Sequence, residues 1–214
     1  MKNTIKKFLI ITIVLMLFIT SCIYKYTKWQ WNVDINNMNF TKFRYSLNHQ
    51  DTISIIAYLK TDTEIDGIPY KAGWIHFTKE WEPKLFCLYK NYSLNKVELR
   101  SGTWVMLNMD NQSFSVVFPN DTLINGYKCK GGGGVKGVQT TFYNSAKLFE
   151  FFPDGDIMID SIKCKGGVFY PVKLYENGKL QSCTLNEQRN FDGTIVKQGS
   201  LVRIDTLGKI VEYE

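Results

Sequence analysis

Short runs of alternating apolar and polar residues fill most of this chain, with Gly, Asn and Asp between them. "WIHF" (residues 74–77) and "WVML" (104–107) alternate with the period of two that a strand requires, because successive side chains point to opposite faces. No segment keeps the 3.6-residue apolar period of an amphipathic helix. Aligning the runs uncovers five copies of one pattern. They begin at Ile65 ("IDGIPYKAG"), Leu94 ("LNKVELRSG"), Ile124 ("INGYKCKGG"), Ile159 ("IDSIKCKGG") and Phe191 ("FDGTIVKQG"), at spacings of 29, 30, 35 and 32 residues. Position two is always Asp or Asn. Position six is Tyr70, Leu99, Cys129, Cys164 or Val196. Position seven is always basic, and position nine is always Gly.

Each copy predicts a β-hairpin. Asx-Gly between apolar residues favours a type I′ turn, which needs positive φ at both central positions. Asp66-Gly67, Asn125-Gly126 and Asp192-Gly193 supply it directly, and Asn95-Lys96 and Asp160-Ser161 are variants. Positions one, four and six then share one apolar face. In that register the basic residue at position seven stands opposite the residue three before position one. The expected pairs are Asp62–Lys71, Asn91–Arg100, Asp121–Lys130, Asp156–Lys165 and Gln188–Lys197. Opposite charges so placed contribute roughly 0.2–1 kcal/mol per pair.

A second hairpin follows in each copy, clearest as "FYNSAKL" (142–148), "LYENGKL" (174–180) and "IDTLGKI" (204–210). The fold class expected is therefore all-β, an antiparallel meander of about five hairpin repeats. Residues 45–214 form the repeat domain, with "FRYSL" and "TISIIAYL" as a degenerate leading copy or cap. The "NGKL" of residues 177–180 and the "LGKI" of 207–210, set inside hairpin repeats, resemble the MORN (membrane occupation and recognition nexus) family. The Tyr-Glu-Gly-x-Trp core of that family is absent and these repeats are longer. The resemblance implies a meandering sheet with a scaffold or membrane-associated role, and it supplies no catalytic residues.

The N-terminus changes the picture of where this sheet resides. Lys2, Lys6 and Lys7 precede an apolar run over residues 8–19, interrupted only by Thr12. As a helix the run reaches roughly 18 Å, short of the ~30 Å hydrocarbon core, so it is read as the apolar region of a signal peptide (residues 1–21). It ends in "ITSC" (19–22), which resembles the lipobox of bacterial lipoproteins. The resemblance implies acylation of Cys22 and anchoring to an envelope membrane. Residues 22–44 are then read as a lipid-anchored tether with some aromatic packing.

Charge and chemistry narrow the function. The formal charge of +6 falls to +3 once the three signal lysines are removed, so a nucleic-acid partner is not implied. The glycine run at 131–134 leads into "VKGVQTTFY", with no Lys-Ser/Thr and no helix, so it is a loop insertion rather than a phosphate loop. Cys129 and Cys164 share a column with Tyr70, Leu99 and Val196, which marks them as small apolar core residues. A disulfide between the two is the second reading. No metal or cofactor is expected, because His49 and His76 have no close Cys pair.

Lys128 and Lys163 face Leu123 and Met158 rather than acids, on the same side as Lys130 and Lys165. These four are the candidate anion-binding residues. Trp74 and Trp104 occupy nearly the same place in two repeats and are candidates to stack a sugar or peptide. The alternative is a second buried face covered by residues 23–60. No triad or carboxylate pair stands out. The function expected is an envelope lipoprotein acting as a non-catalytic binding or assembly scaffold. Its partners would be the membrane through Cys22 and an envelope protein, glycan or anionic lipid. The rivals are a hydrolase using carboxylates from distant repeats and a structural membrane-surface protein.

Overall fold

A computed structural model of the protein describes residues 25–48, 51–108 and 113–214. The signal region, Cys22 and His49 lie outside these. The chain opens with β1 (Lys25–Tyr26), β2 (Gln30–Ile35), β3 (Met38–Asn48) and β4 (Asp51–Leu59). The first copy follows as β5 (Thr63–Ile65), β6 (Ile68–Tyr70), β7 (Gly73–Phe77) and β8 (Pro83–Cys87). The second is β9 (Tyr92–Leu94), β10 (Val97–Leu99), β11 (Trp104–Leu107) and β12 (Ser113–Val117). The third is β13 (Thr122–Ile124), β14 (Tyr127–Cys129), β15 (Thr140–Tyr143) and β16 (Leu148–Phe151). The fourth is β17 (Ile157–Ile159), β18 (Ile162–Cys164), β19 (Val172–Leu174) and β20 (Leu180–Thr184). The fifth is β21 (Arg189–Phe191), β22 (Thr194–Val196), β23 (Leu201–Ile204) and β24 (Ile210–Tyr213).

The last two strands of every copy join one antiparallel meander, β1-β3-β4-β7-β8-β11-β12-β15-β16-β19-β20-β23-β24, with β2 also paired to β3. The first two strands of every copy form a separate two-stranded hairpin. Direct turns and hairpin-bearing connections alternate along the meander, so all five hairpins emerge at the same end of the sheet.

The hairpin turns have the geometry that their residues dictate. Positive φ occurs at both central residues of all five: Asp66 and Gly67 (52° and 78°), Asn95 and Lys96 (48° and 70°), Asn125 and Gly126 (49° and 85°), Asp160 and Ser161 (49° and 63°), Asp192 and Gly193 (49° and 94°). The registers Ile65↔Ile68 and Ile124↔Tyr127 close two-residue loops, as do their counterparts in the other copies. Position six is buried in every copy, from Tyr70 to Val196. The opposite side is open, with Leu123 70%, Met158 60% and Ile195 61% exposed.

Backbone hydrogen bonds dock each hairpin on the sheet. Lys71 donates its N–H to the Cys87 carbonyl (2.8 Å), Lys130 to Phe152 (2.7 Å) and Lys165 to Thr184 (2.8 Å). Tyr89, Asp154 and Asn186 return the bond to Pro69, Lys128 and Lys163 at 3.1, 2.9 and 2.9 Å. The Gly at position nine is the hinge. Gly102, Gly132, Gly167 and Gly199 each donate to the carbonyl of the residue fourteen earlier, at 2.8–2.9 Å, with φ of 83°, 88°, 112° and 87°. That backbone is open to Gly and strained for other residues, which accounts for the unbroken column. Between the two layers lies the core, with Phe40, Phe43, Phe77, Phe86, Phe114, Phe142 and Phe151 at 0–1% exposure. Each such side chain contributes roughly 1.5–3 kcal/mol when buried.

Two expectations are corrected. Residues 25–26, 30–35 and 38–44, expected as part of a tether, are strand. Asn36 and Asn37 (φ 50° and 63°) turn β2 into β3, in the same two-residue loop as the repeats. The facing residues at position minus three act on the backbone more than on the basic column. Asp62, Asn91, Asp121 and Asp156 each accept an N–H through Oδ1, from Ala72 (2.7 Å), Ser101, Gly131 and Gly166 (3.0 Å each). Of the expected ion pairs only Asp121–Lys130, at 3.3 Å, forms among the described residues. An Asx side chain reaches a nearby N–H with less ordering than a lysine must undergo to reach it.

Cys129, Cys164 and Cys183 are core residues, and all four described thiols, Cys87 included, are buried. Burial pushes the Cys129 thiol up to about 12. Cys164 meets Cys183 rather than Cys129, with the two Sγ atoms 2.6 Å apart. The Cys183 contact and burial raise the Cys164 thiol as well.

Two outcomes are expected. Gly126→Val places a β-branched residue at φ 85° and lowers unfolding free energy by more than ~1 kcal/mol in urea titration. An unchanged midpoint would contradict the turn geometry. Refolding with oxidised glutathione should link Cys164 to Cys183, the two thiols giving two protons and two electrons to the external disulfide, which leaves as two reduced glutathiones. Peptide mapping without reductant that recovers both thiols free, or a Cys129–Cys164 link, would count against this packing.

Candidate functional site

The sheet has two faces of different character. One is sealed by the hairpins. The other faces solvent and carries one cross-strand row from β3 to β24. The register runs Arg44↔Ile56↔His76↔Leu85↔Met106↔Ser115, then Thr141↔Glu150↔Lys173↔Ser182↔Arg203↔Glu212. Its composition changes along the way. After Arg44 the first half is largely apolar, with Ile56, Leu85 and Met106 around His76. Ser115 and Thr141 share a hydroxyl hydrogen bond of 3.0 Å in the middle. Ion pairs close the second half, Glu150 with Lys173 at 3.3 Å and Arg203 with Glu212. His76 lies in the apolar half, where burial and then Lys84 lower its pKa below the ordinary imidazole value.

Trp74 and Trp104 lie on this outer face. Trp104 pairs with Cys87 on β8, the strand between β7 and β11. The two tryptophans are therefore about two strand spacings apart, roughly 10 Å. Trp74 is 42% exposed, and residues of the N-terminal strands meet it. Tyr58 packs edge-on at 5.3 Å and Trp29 lies 6.0 Å away. The Lys42 ammonium sits 5.0, 5.4 and 5.1 Å from the ring centres of Trp29, Trp31 and Trp74. The Arg44 guanidinium lies 3.9 Å from the Tyr26 ring centre and 4.4 Å from that of Trp29. The richest side-chain cluster of the outer face thus centres on Lys42 and Arg44. Reading residues 23–44 as a tether hid it. The alternation of Trp in "KWQW" and of cations in "TKFRY" was the available signal.

The four candidate lysines do not converge on one site. Lys128 and Lys130, on β14 and just after it, both bind Asp154, and Lys130 also reaches Asp121 at 3.3 Å. The two ammoniums hold the Asp154 carboxyl down at about 2. Lys163, on β18, lies 3.6 Å from Glu187. Lys165 covers the Tyr170 ring at 4.2 Å. Leu123 and Met158 do face Lys128 and Lys163 across their hairpins, as the register predicts. Asp154 and Glu187 come from the following segment, which the hairpin register does not reveal.

The glycine run forms a loop with one 3₁₀ turn, Gly134–Lys136, ahead of β15. It borders a cleft of about 610 Å³ with Thr141, Glu150 and Phe152. Among the described residues no group of three His, Cys, Asp or Glu is placed to hold a metal ion. No described helix is long and apolar enough to cross a membrane. Compared with known proteins, the chain matches no family model, no curated protein and no solved structure.

Proposed function

We propose that this is a lipid-anchored protein of the bacterial cell envelope, held through Cys22, whose repeat sheet is a non-catalytic binding or assembly scaffold. The anchor reading is supported by the basic start, the apolar run and "ITSC". The scaffold reading is supported by the solvent-facing side of the sheet. Hairpins cover only one face, and the other keeps twelve side chains in one register from Arg44 to Glu212. Such a face is rigid and extended. Eleven strand intervals at ~4.8 Å span roughly 53 Å. A surface of that kind offers shape and charge to a large partner without enclosing a small substrate.

Cys22→Ala should leave an unprocessed chain that takes up no labelled fatty acid in growing cells. Membrane attachment through acyl chains gains about 0.8 kcal/mol per buried CH₂. Labelling of that variant equal to wild type would remove the anchor reading.

A further inference from the structure

We infer that the N-terminal end of the outer face is a bilayer-contacting surface, in which Lys42 and Arg44 bind anionic phospholipid headgroups and the surrounding indole and phenol rings enter the headgroup layer. The inference deepens the anchor reading and rests on it for the position of Cys22.

Four observations carry it. First, the rings are exposed although they form a cluster: Trp31 59%, Tyr26 44%, Trp74 42% and Tyr58 37%. Exposed aromatic area gathered at one end of one face marks a contact surface rather than scattered apolar residues. Rings with one apolar body and one polar N–H or O–H suit the boundary between water and hydrocarbon. Second, the cations at the centre lack acids. Among the described residues neither Lys42 nor Arg44 forms a salt bridge. Asp34, on the neighbouring β2, instead accepts a hydrogen bond from Asn39. The Arg44 Nε is buried with no hydrogen-bond partner. Guanidinium N–H groups match phosphate oxygens, and the Lys42 stem can lie along the indoles with its ammonium at the headgroups.

Third, the paired charges of the outer row lie in its other half, at Glu150–Lys173 and Arg203–Glu212. The end nearest the cluster instead continues as Ile56, His76, Leu85 and Met106, with no ion pair among them. Fourth, the chain length fixes the occupant. Tyr26 is four residues from Cys22, which extended chain spans in at most roughly 14 Å. Acylation at Cys22 therefore holds this cluster at the membrane surface and nowhere else. The tether raises the local lipid concentration seen by the cluster, so a modest intrinsic affinity suffices. A soluble quaternary ammonium is a poor alternative, because the Lys42 ammonium already occupies the space among the three indoles.

The test uses the full chain, processed in cells and reconstituted into vesicles of phosphatidylcholine with brominated acyl chains, with and without phosphatidylglycerol. Flotation and fatty-acid labelling report the anchor. Tryptophan quenching by bromine reports the cluster, which holds three of the five tryptophans. Quenching is expected in wild type, stronger with phosphatidylglycerol and weaker in high salt. In Lys42→Gln/Arg44→Gln the contact equilibrium should fall by roughly 30-fold, the effect of two basic groups near an anionic surface, while labelling persists. Trp31→Ser, at a ring that is mostly solvent-exposed, provides a second variant if the double one folds poorly, and it should also reduce quenching. A labelled chain that floats but is not quenched overturns the bilayer contact and leaves the anchor standing, as a glycan or protein occupant would require. A quenched but unlabelled chain removes the anchor reading and keeps the contact. A chain neither labelled nor quenched removes both.

Discussion

A single β-sheet cannot bury its own apolar face, and this chain meets that constraint with a flap in every repeat. The five hairpins are too short to be stable alone, since an isolated two-stranded hairpin is marginal in water. The sheet in turn would expose Phe77, Phe86, Phe114, Phe142 and Phe151 without them. Each layer is therefore stable only against the other. The joint between them is the Gly at position nine, whose left-handed backbone returns the chain to the sheet while its N–H binds the preceding strand end. Changing that one conformation would open a flap and expose the core beneath it, which is why the residue does not vary across the copies.

The same arrangement makes the two faces of the sheet unlike. Hairpins occupy one face only, so the other can vary from repeat to repeat without loss of core. Along that face the side chains pass from aromatic and cationic, through apolar, to hydroxyl-bearing and then ion-paired. The gradient runs with the chain, and its aromatic end is the end nearest Cys22. Surface ion pairs of the Glu150–Lys173 kind contribute little stability, typically under about 1 kcal/mol. At the near end Lys42 and Arg44 form no salt bridge among the described residues.

Much of this was legible in the sequence because the repeat exposes its own rules. Asx-Gly turns, the shared apolar face and the glycine column each state a backbone requirement, and five copies separate requirement from accident. What was hidden depended on contacts between segments. Lys128 and Lys163 look unpaired within their hairpins, and only the fold brings Asp154 and Glu187 to them. Cys164 has Cys129 as its equivalent in the repeat, yet the adjacent β20 supplies Cys183. The aromatic cluster was hidden for another reason. β1 and β2 carry no full copy of the repeat, and a search by repeat passes over a strand that caps one.

Amide hydrogen exchange on the full chain tests the mutual dependence of the two layers most directly. The N–H groups of Lys71, Lys130 and Lys165, which dock hairpins on the sheet, should exchange with protection close to that of Val105 and Val116 inside it. They should lose it in the same opening event. Docking amides that exchange like open loops while the sheet stays protected would show that the sheet is stable without its flaps, and the account would be wrong.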